Sequence, residues 1–185
     1  MKRIFDLCLS IILLPLAVPP IMIALVLVKL DSPGPAIFKQ QRVGLHEKIF
    51  TVFKIRTMSS DMDDRPSHEA TQSSITKIGK FLRRSKIDEL PQLLNVITGD
   101  MSFVGPRPCL PIQVDLIEAR RKLGVFASPP GITGLGQVLG YDMSDPELLA
   151  STDRQYLDKR SFTYDIILLA KTFTGSGSGD RIRKE

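Results

Sequence analysis

From Ile4 to Leu30 the chain is apolar almost without interruption, with charge only at Asp6 near one end and Lys29 near the other. A straight helix over this run spans about 40 Å, more than the hydrocarbon core of a bilayer. It is too long for a signal peptide, and no clear small-residue cleavage site follows. Pro19-Pro20 lies inside the run, with Pro15 one turn earlier. Proline removes a backbone donor and clashes with the preceding turn, so a kink or break is predicted near Pro19. The halves on either side reach roughly 22 and 16 Å, each too short to cross alone. Lys2 and Arg3 precede the run, and Lys29, Lys39, Arg42 and Lys48 attend its far end. Positive charge on both flanks favours both ends on the cytoplasmic side. Two forms fit: a helix that turns at Pro19 and leaves by the face it entered, or a kinked spanning helix.

The pattern then changes. Asp31-Ser32-Pro33-Gly34-Pro35 is a turn cluster. Ala36 to Val43 and Lys48 to Met58 are β-compatible runs about Gly44 and predict a hairpin. Lys54 and Arg56 share a strand face, a pairing that suits either an anion between them or a solvated surface. Asp61 to Gln72 is polar, and its Asp61, Asp63 and Asp64 lack the glycine and spacing of a calcium loop, so it reads as a solvated loop. Ile75, Ile78 and Leu82 follow helical spacing and predict an amphipathic helix from Ser74 to Arg84. A second helical run starts about Pro91 and ends near Thr98-Gly99, and a third covers Pro111 to Leu123. Pro129 to Gln137 is glycine-rich but is neither a dinucleotide fingerprint nor a P-loop; it predicts a tight turn or a close backbone approach. Ser144-Asp145-Pro146-Glu147 caps a helix that continues, with a break near Ser161, to about Phe173. Gly175 to Gly179 is a flexible tail.

Composition narrows the function. The chain has 185 residues, enough for one domain with a real core. A net charge of +5 points to anionic partners. There is no tryptophan, and the three tyrosines are not interleaved with basic residues, which argues against nucleic acid. Cys8 and Cys109 lie far apart without a metal-ligand pattern, as in a reduced, cytoplasm-facing chain.

The candidate chemistry centres on Ser85-Lys86-Ile87-Asp88-Glu89-Leu90-Pro91-Gln92. Proline is tolerated in the first helical turn, so Pro91 puts the two carboxylates at or just before a helix N-terminus. There Asp88 is either an N-cap or an ionised group beside an anion site. Arg83, Arg84 and Lys86 precede the pair. Arg107 sits between Pro106 and Pro108, a stiff mount for a guanidinium whose fork matches phosphate oxygens.

Together these segments resemble the bacterial sugar transferase family, and more narrowly its small monotopic phosphoglycosyl transferases. The resemblance is carried by Lys2 to Asp6, Ser32 to Pro35 with Phe38, Gln40 and Arg42, Phe53 to Met58, Leu82 to Leu93, Gly99 to Pro108, Pro130 to Gln137, and Asp165 with its helix. They run in family order over nearly the whole chain. The family often has Ser-Pro at the helix break, whereas this chain has Val18-Pro19 followed by Pro20. The resemblance implies an α+β fold, mostly helical with a short hairpin. Residues 1–30 are then a re-entrant membrane helix broken at Pro19, 31–174 a catalytic domain and 175–185 a tail. It implies transfer of a sugar 1-phosphate from a UDP-sugar to polyprenol phosphate, with release of UMP, at the cytoplasmic face of the bacterial inner membrane. Asp88 is implied as the nucleophile and a magnesium ligand, with Glu89 as its partner. Lys54, Arg56, Arg83, Arg107, Gln137 and Asp165 are implied as donor-binding residues. The remaining partners are membrane lipids, and a homodimer is left open.

Two rivals stand beside this reading. A glycosyltransferase binding its metal through Asp61 and Asp63 releases UDP rather than UMP. A non-catalytic membrane adaptor turns over nothing.

Overall fold

The computed structural model describes residues 1–58 and 75–174. Asp61, Asp63 and Asp64, and the glycine-serine tail, lie outside those residues. Helix α1 runs from Lys2 to Asp31. It is continuous across Pro19, where the sequence predicts a break. Each proline deletes one donor, but its φ is itself helical, so the run is not divided into two helices there. Its buried positions are Asp6, Ser10, Ala17, Ala24 and Val28, a single stripe at helical spacing. The opposite stripe, including Ile4, Ile11, Leu16, Ile23 and Leu30, is exposed.

Both ends of α1 dock on the rest of the chain. At the start, Lys2 Nζ lies 2.6 Å from Asp165 Oδ2, and the Arg3 guanidinium donates to the Val96 and Ile97 carbonyls. At the far end, Ala24 and Val28 pack with Ala36, Ile55 and Leu82.

The predicted hairpin forms from β1 (Ile37–Val43) and β2 (Ile49–Ile55), antiparallel, with Ile37 opposite Ile55 and Val43 opposite Ile49. Helix α2 (Lys77–Ser85) starts where Thr76 Oγ1 accepts from the Gly79 amide. A 3₁₀ turn, Ile87–Gln92, separates it from the short α3 (Leu93–Thr98). Next come β3 (Ser102–Val104) and α4 (Val114–Lys122). The glycine-rich loop holds a second strand, β4 (Gly131–Thr133), which pairs in parallel with β3, and then α5 (Leu135–Leu139). Helices α6 (Pro146–Lys159) and α7 (Phe162–Phe173) follow, broken at Ser161, with Asp145 and Ser161 as the caps. The fold is α+β and mostly helical, as expected; the β3–β4 pair is the part the sequence reading lacked.

The main core gathers Val52, Leu93, Val96, Phe103, Val104, Tyr156 and Leu168, with Ala17 of α1 among them. A second cluster joins Val43, Cys109, Leu116, Ala119, Leu149 and Ala150, tying the hairpin to α4 and α6. The membrane-type helix is therefore part of the domain's core rather than an appendage.

Candidate active site

Helix α2 ends at Lys86, which takes a left-handed conformation with φ of 58°. Few residues other than glycine adopt it, and such strain concentrates at functional sites. The turn reverses the chain and sends Asp88 and Glu89 back towards the hairpin. Neither carboxylate caps a helix: the residue before α3 is Gln92, and no side-chain cap bond forms there. The N-cap expectation for Asp88 thus fails, because a 3₁₀ turn intervenes.

Asp88 is 7% exposed and opens on a cavity of about 590 Å³. Its charged lining residues are Arg42, Arg83, Lys86, Asp88, Glu89, Arg107, Asp142 and Asp153. Another part of the lining is apolar, with Leu13, Leu16 and Ala17 from α1, Val138 and Leu139 from α5, and Leu169 and Phe173 from α7. Leu16, Leu139 and Phe173 remain exposed, so the apolar part opens outward.

The charged groups are individually positioned. Lys54 Nζ lies 2.9 Å from Glu89 Oε1 and fixes the second carboxylate from β2. Arg83 Nε donates to Thr57 Oγ1 at 2.8 Å. Its Nη1 is buried and has no hydrogen-bond partner among the described residues. A buried cationic donor left in that state asks for an anion. Gln137 Nε2 donates to the Ile132 carbonyl while Oε1 is buried without a partner among the described residues.

The glycine-rich loop explains itself here. A Cβ on Gly131 would lie 2.1 Å from the Gly105 amide nitrogen, and one on Gly134 would lie 2.2 Å from the Gly105 carbonyl oxygen. The loop's glycines let it approach the backbone leading into Arg107.

The bacterial sugar transferase profile matches residues 1–177. The chain belongs to the bacterial sugar transferase family. A Bacillus subtilis (strain 168) protein named "Uncharacterized sugar transferase EpsL" is 40% identical over 93% of this chain and 85% of its own length. Proteins named "UDP-glucose:undecaprenyl-phosphate glucose-1-phosphate transferase" from Caulobacter vibrioides and Escherichia coli (strain K12) are 42% and 38% identical, over 75% and 95% of this chain. This chain spans 54% and 40% of those two proteins' lengths.

Within this family member the cavity brings together Asp88, Glu89, Arg83, Arg107 and Gln137, with Lys54 joined through Glu89. Two expected site residues lie elsewhere. Arg56 turns away from Lys54 and donates to the Ser32 and Pro33 carbonyls and to Ser32 Oγ, pinning the turn after α1. Each of the two cations thus has an oxygen partner of its own, Glu89 for Lys54 and the Ser32–Pro33 turn for Arg56. Asp165 belongs to a buried cluster with Lys2 and Tyr156, whose hydroxyl donates to Asp165 Oδ1 at 2.8 Å. Burial and that carboxylate push the Tyr156 phenol well above its usual range. The sequence reading gave no site role to Arg42, Asp142 or Asp153, all of which line the cavity. Arg42 lies two residues after Gln40 on β1, so the two share a strand face, opposite Phe50 and Val52, and both are buried there.

Proposed function

We propose that the chain is a phosphoglycosyl transferase that moves a sugar 1-phosphate from a UDP-sugar to polyprenol phosphate and releases UMP. One observation carries this reading: a single cavity joins a carboxylate pair among cations to an apolar wall built partly by the membrane-type helix. A soluble diphosphate suits the charged part and an isoprenoid chain suits the apolar part. The names of the relatives pair the same two kinds of substrate.

In the first step an Asp88 oxygen attacks the phosphorus that bears the sugar. The bond from that phosphorus to the UMP oxygen breaks, and UMP leaves with the electron pair. Bringing carboxylate to diphosphate sets anion against anion, and Arg83, Lys86 and Arg107 offset that repulsion. In the second step an oxygen of polyprenol phosphate attacks the same phosphorus. The Asp88 oxygen leaves as carboxylate, and the product is a polyprenyl diphosphate sugar. Glu89, oriented by Lys54, takes the proton of a monoprotonated acceptor phosphate. Covalent capture lets a water-soluble and a lipid substrate use one site in turn.

Magnesium fits the donor set. It keeps several waters and takes one or two carboxylates plus substrate phosphate oxygens. Among the described residues no group of three or more acidic, histidine or cysteine side chains could hold an ion by itself; Asp88 would supply one carboxylate and the donor diphosphate the other charged oxygens. When bound, the ion would neutralise charge on the donor diphosphate.

Helix α1 is proposed to be re-entrant, with the catalytic domain on the cytoplasmic face. Support comes from its two docked ends: Lys2 and Val28 both pack on the same domain, as a helix that leaves by the face it entered requires. Its exposed apolar stripe, with exposed Phe162, Ile166 and Phe173 of α7, gives the lipid-facing surface.

The test is product analysis with undecaprenyl phosphate and a panel of UDP-glucose, UDP-galactose and UDP-N-acetylgalactosamine, on protein in nanodiscs. The expected product is UMP, and Asp88→Asn abolishes its formation. UDP as product, or equal turnover by Asp88→Asn, overturns the mechanism.

A further inference from the structure

The backbone on either side of Arg107 is held at four consecutive carbonyls by donors from β4, α4 and the end of β1. The Gly131 amide donates to the Pro106 carbonyl at 2.9 Å. Arg120 Nη1 donates to the Arg107 carbonyl at 2.8 Å. Arg42 Nη1 donates to the Pro108 carbonyl at 2.9 Å, and the Val43 amide to the Cys109 carbonyl at 2.9 Å. Two of the four residues are prolines with φ locked. A segment with fixed dihedrals and every carbonyl engaged has almost no freedom left, so the Arg107 side chain starts from an immobile point.

Of the four donors, only the Arg120 guanidinium bonds to Arg107 itself. Arg120 is 1% exposed and emerges from α4. Its Nε and Nη2 both donate to Asp153 Oδ2 of α6, at 2.9 and 2.6 Å. Those two bonds orient the planar fork so that Nη1 aims at the Arg107 carbonyl. An ammonium at the same place has no such fixed directions. Buried ion pairs contribute little net stability compared with apolar residues of the same volume. A stability role alone therefore gives a weak account of burying this pair, and what the pair does provide is direction.

We propose that Arg120, oriented by Asp153, is a positioning residue that sets the Arg107 guanidinium against the phosphate groups of the sugar donor. This rests on the reading of the cavity as the donor site. It assigns neither Arg120 nor Asp153 any contact with substrate: both act through the backbone at Arg107. Misplacing a phosphate clamp by even an ångström lowers the rate steeply.

The test is a cycle of variants in nanodiscs. Arg120→Met with Asp153→Leu replaces the pair by apolar side chains, and Arg120→Lys keeps the charge but removes the fork. Both are made with and without Arg107→Ala. Turnover is followed as UMP release with undecaprenyl phosphate and whichever of UDP-glucose, UDP-galactose and UDP-N-acetylgalactosamine the wild type uses. Backbone hydrogen exchange is followed separately over Phe103 to Leu110, without substrate. The expected results are a melting temperature within a few degrees of wild type, faster exchange in that segment, and a 10- to 100-fold loss of kcat/KM for the donor. In the Arg107→Ala background the same changes cost nothing further. Unchanged turnover, or the same fold-loss added on top of Arg107→Ala, overturns the proposal. If the apolar pair fails to fold, Arg120→Lys carries the same two comparisons. If wild type turns over none of the donors, the functional reading falls, while unchanged exchange would still count separately against the clamp.

Discussion

Arg83→Met separates a binding role from a structural one. Methionine keeps an unbranched apolar stem and removes every guanidinium donor. In the ligand-free protein Arg83 Nη1 is buried without a partner among the described residues, an arrangement that costs about 1–3 kcal/mol. The 2.8 Å bond from Nε to Thr57 Oγ1 contributes about 0.5–1.5 kcal/mol. The variant relieves the first and forfeits the second, so stability changes by between about 0.5 kcal/mol lost and about 2.5 kcal/mol gained. For a chain of this size that is a melting shift between about −2 and +10 °C. Donor capture goes the other way. Losing a charged hydrogen bond to phosphate costs about 1.5–3 kcal/mol, or about 10- to 150-fold in kcat/KM. The assay pairs thermal melting without substrate with initial rates of UMP release. A variant that melts far below wild type yet keeps its kcat/KM would show that Arg83 only supports the fold, and the reasoning would be refuted.

Tyr156→Phe removes the hydroxyl that bonds Asp165 Oδ1 at 2.8 Å and lies 3.1 Å from the Val104 carbonyl. A hydrogen bond to a charged partner contributes about 1.5–3 kcal/mol, so melting should fall by about 3–12 °C; a double-mutant cycle with Asp165→Asn should show strong coupling. Burial raises the Cys109 thiol above its ordinary 9.0. The unfolded chain therefore loses that proton first, and stability falls as pH rises from about 9 through the raised folded value. Melting curves from pH 8 to 10.5 should drop less steeply for Cys109→Ala than for wild type.

Much of the architecture was legible because local rules agreed with the tertiary result. The hairpin about Gly44, the Asp145 cap, the break at Ser161 and the amphipathic α2 all formed within two or three residues of expectation. The β3–β4 pair was not legible: three-residue strands carry no periodicity, and parallel pairing joins segments almost thirty positions apart. The N-cap reading of Asp88 failed because a 3₁₀ turn, Ile87–Gln92, already contains both Asp88 and Pro91, and α3 starts only after it. Asp88, Glu89, Arg83 and Arg107 could be picked out because charges beside proline or a helix end are locally conspicuous. Arg56 misled for the same reason: strand alternation gave its face but not its partner, the Ser32–Pro33 turn. Arg120 and Asp153 look like ordinary surface charges on two helices, and only the packing of α4 on α6 brings them together.

The direct measurement is the mass of the peptide beginning at Ile87 after acid quench of enzyme exposed to a UDP-sugar without acceptor. A covalent step through Asp88 predicts that this peptide gains the mass of a sugar phosphate at Asp88 and loses it when undecaprenyl phosphate is added. An unmodified peptide under conditions that release UMP, with the adduct on another side chain, would contradict it.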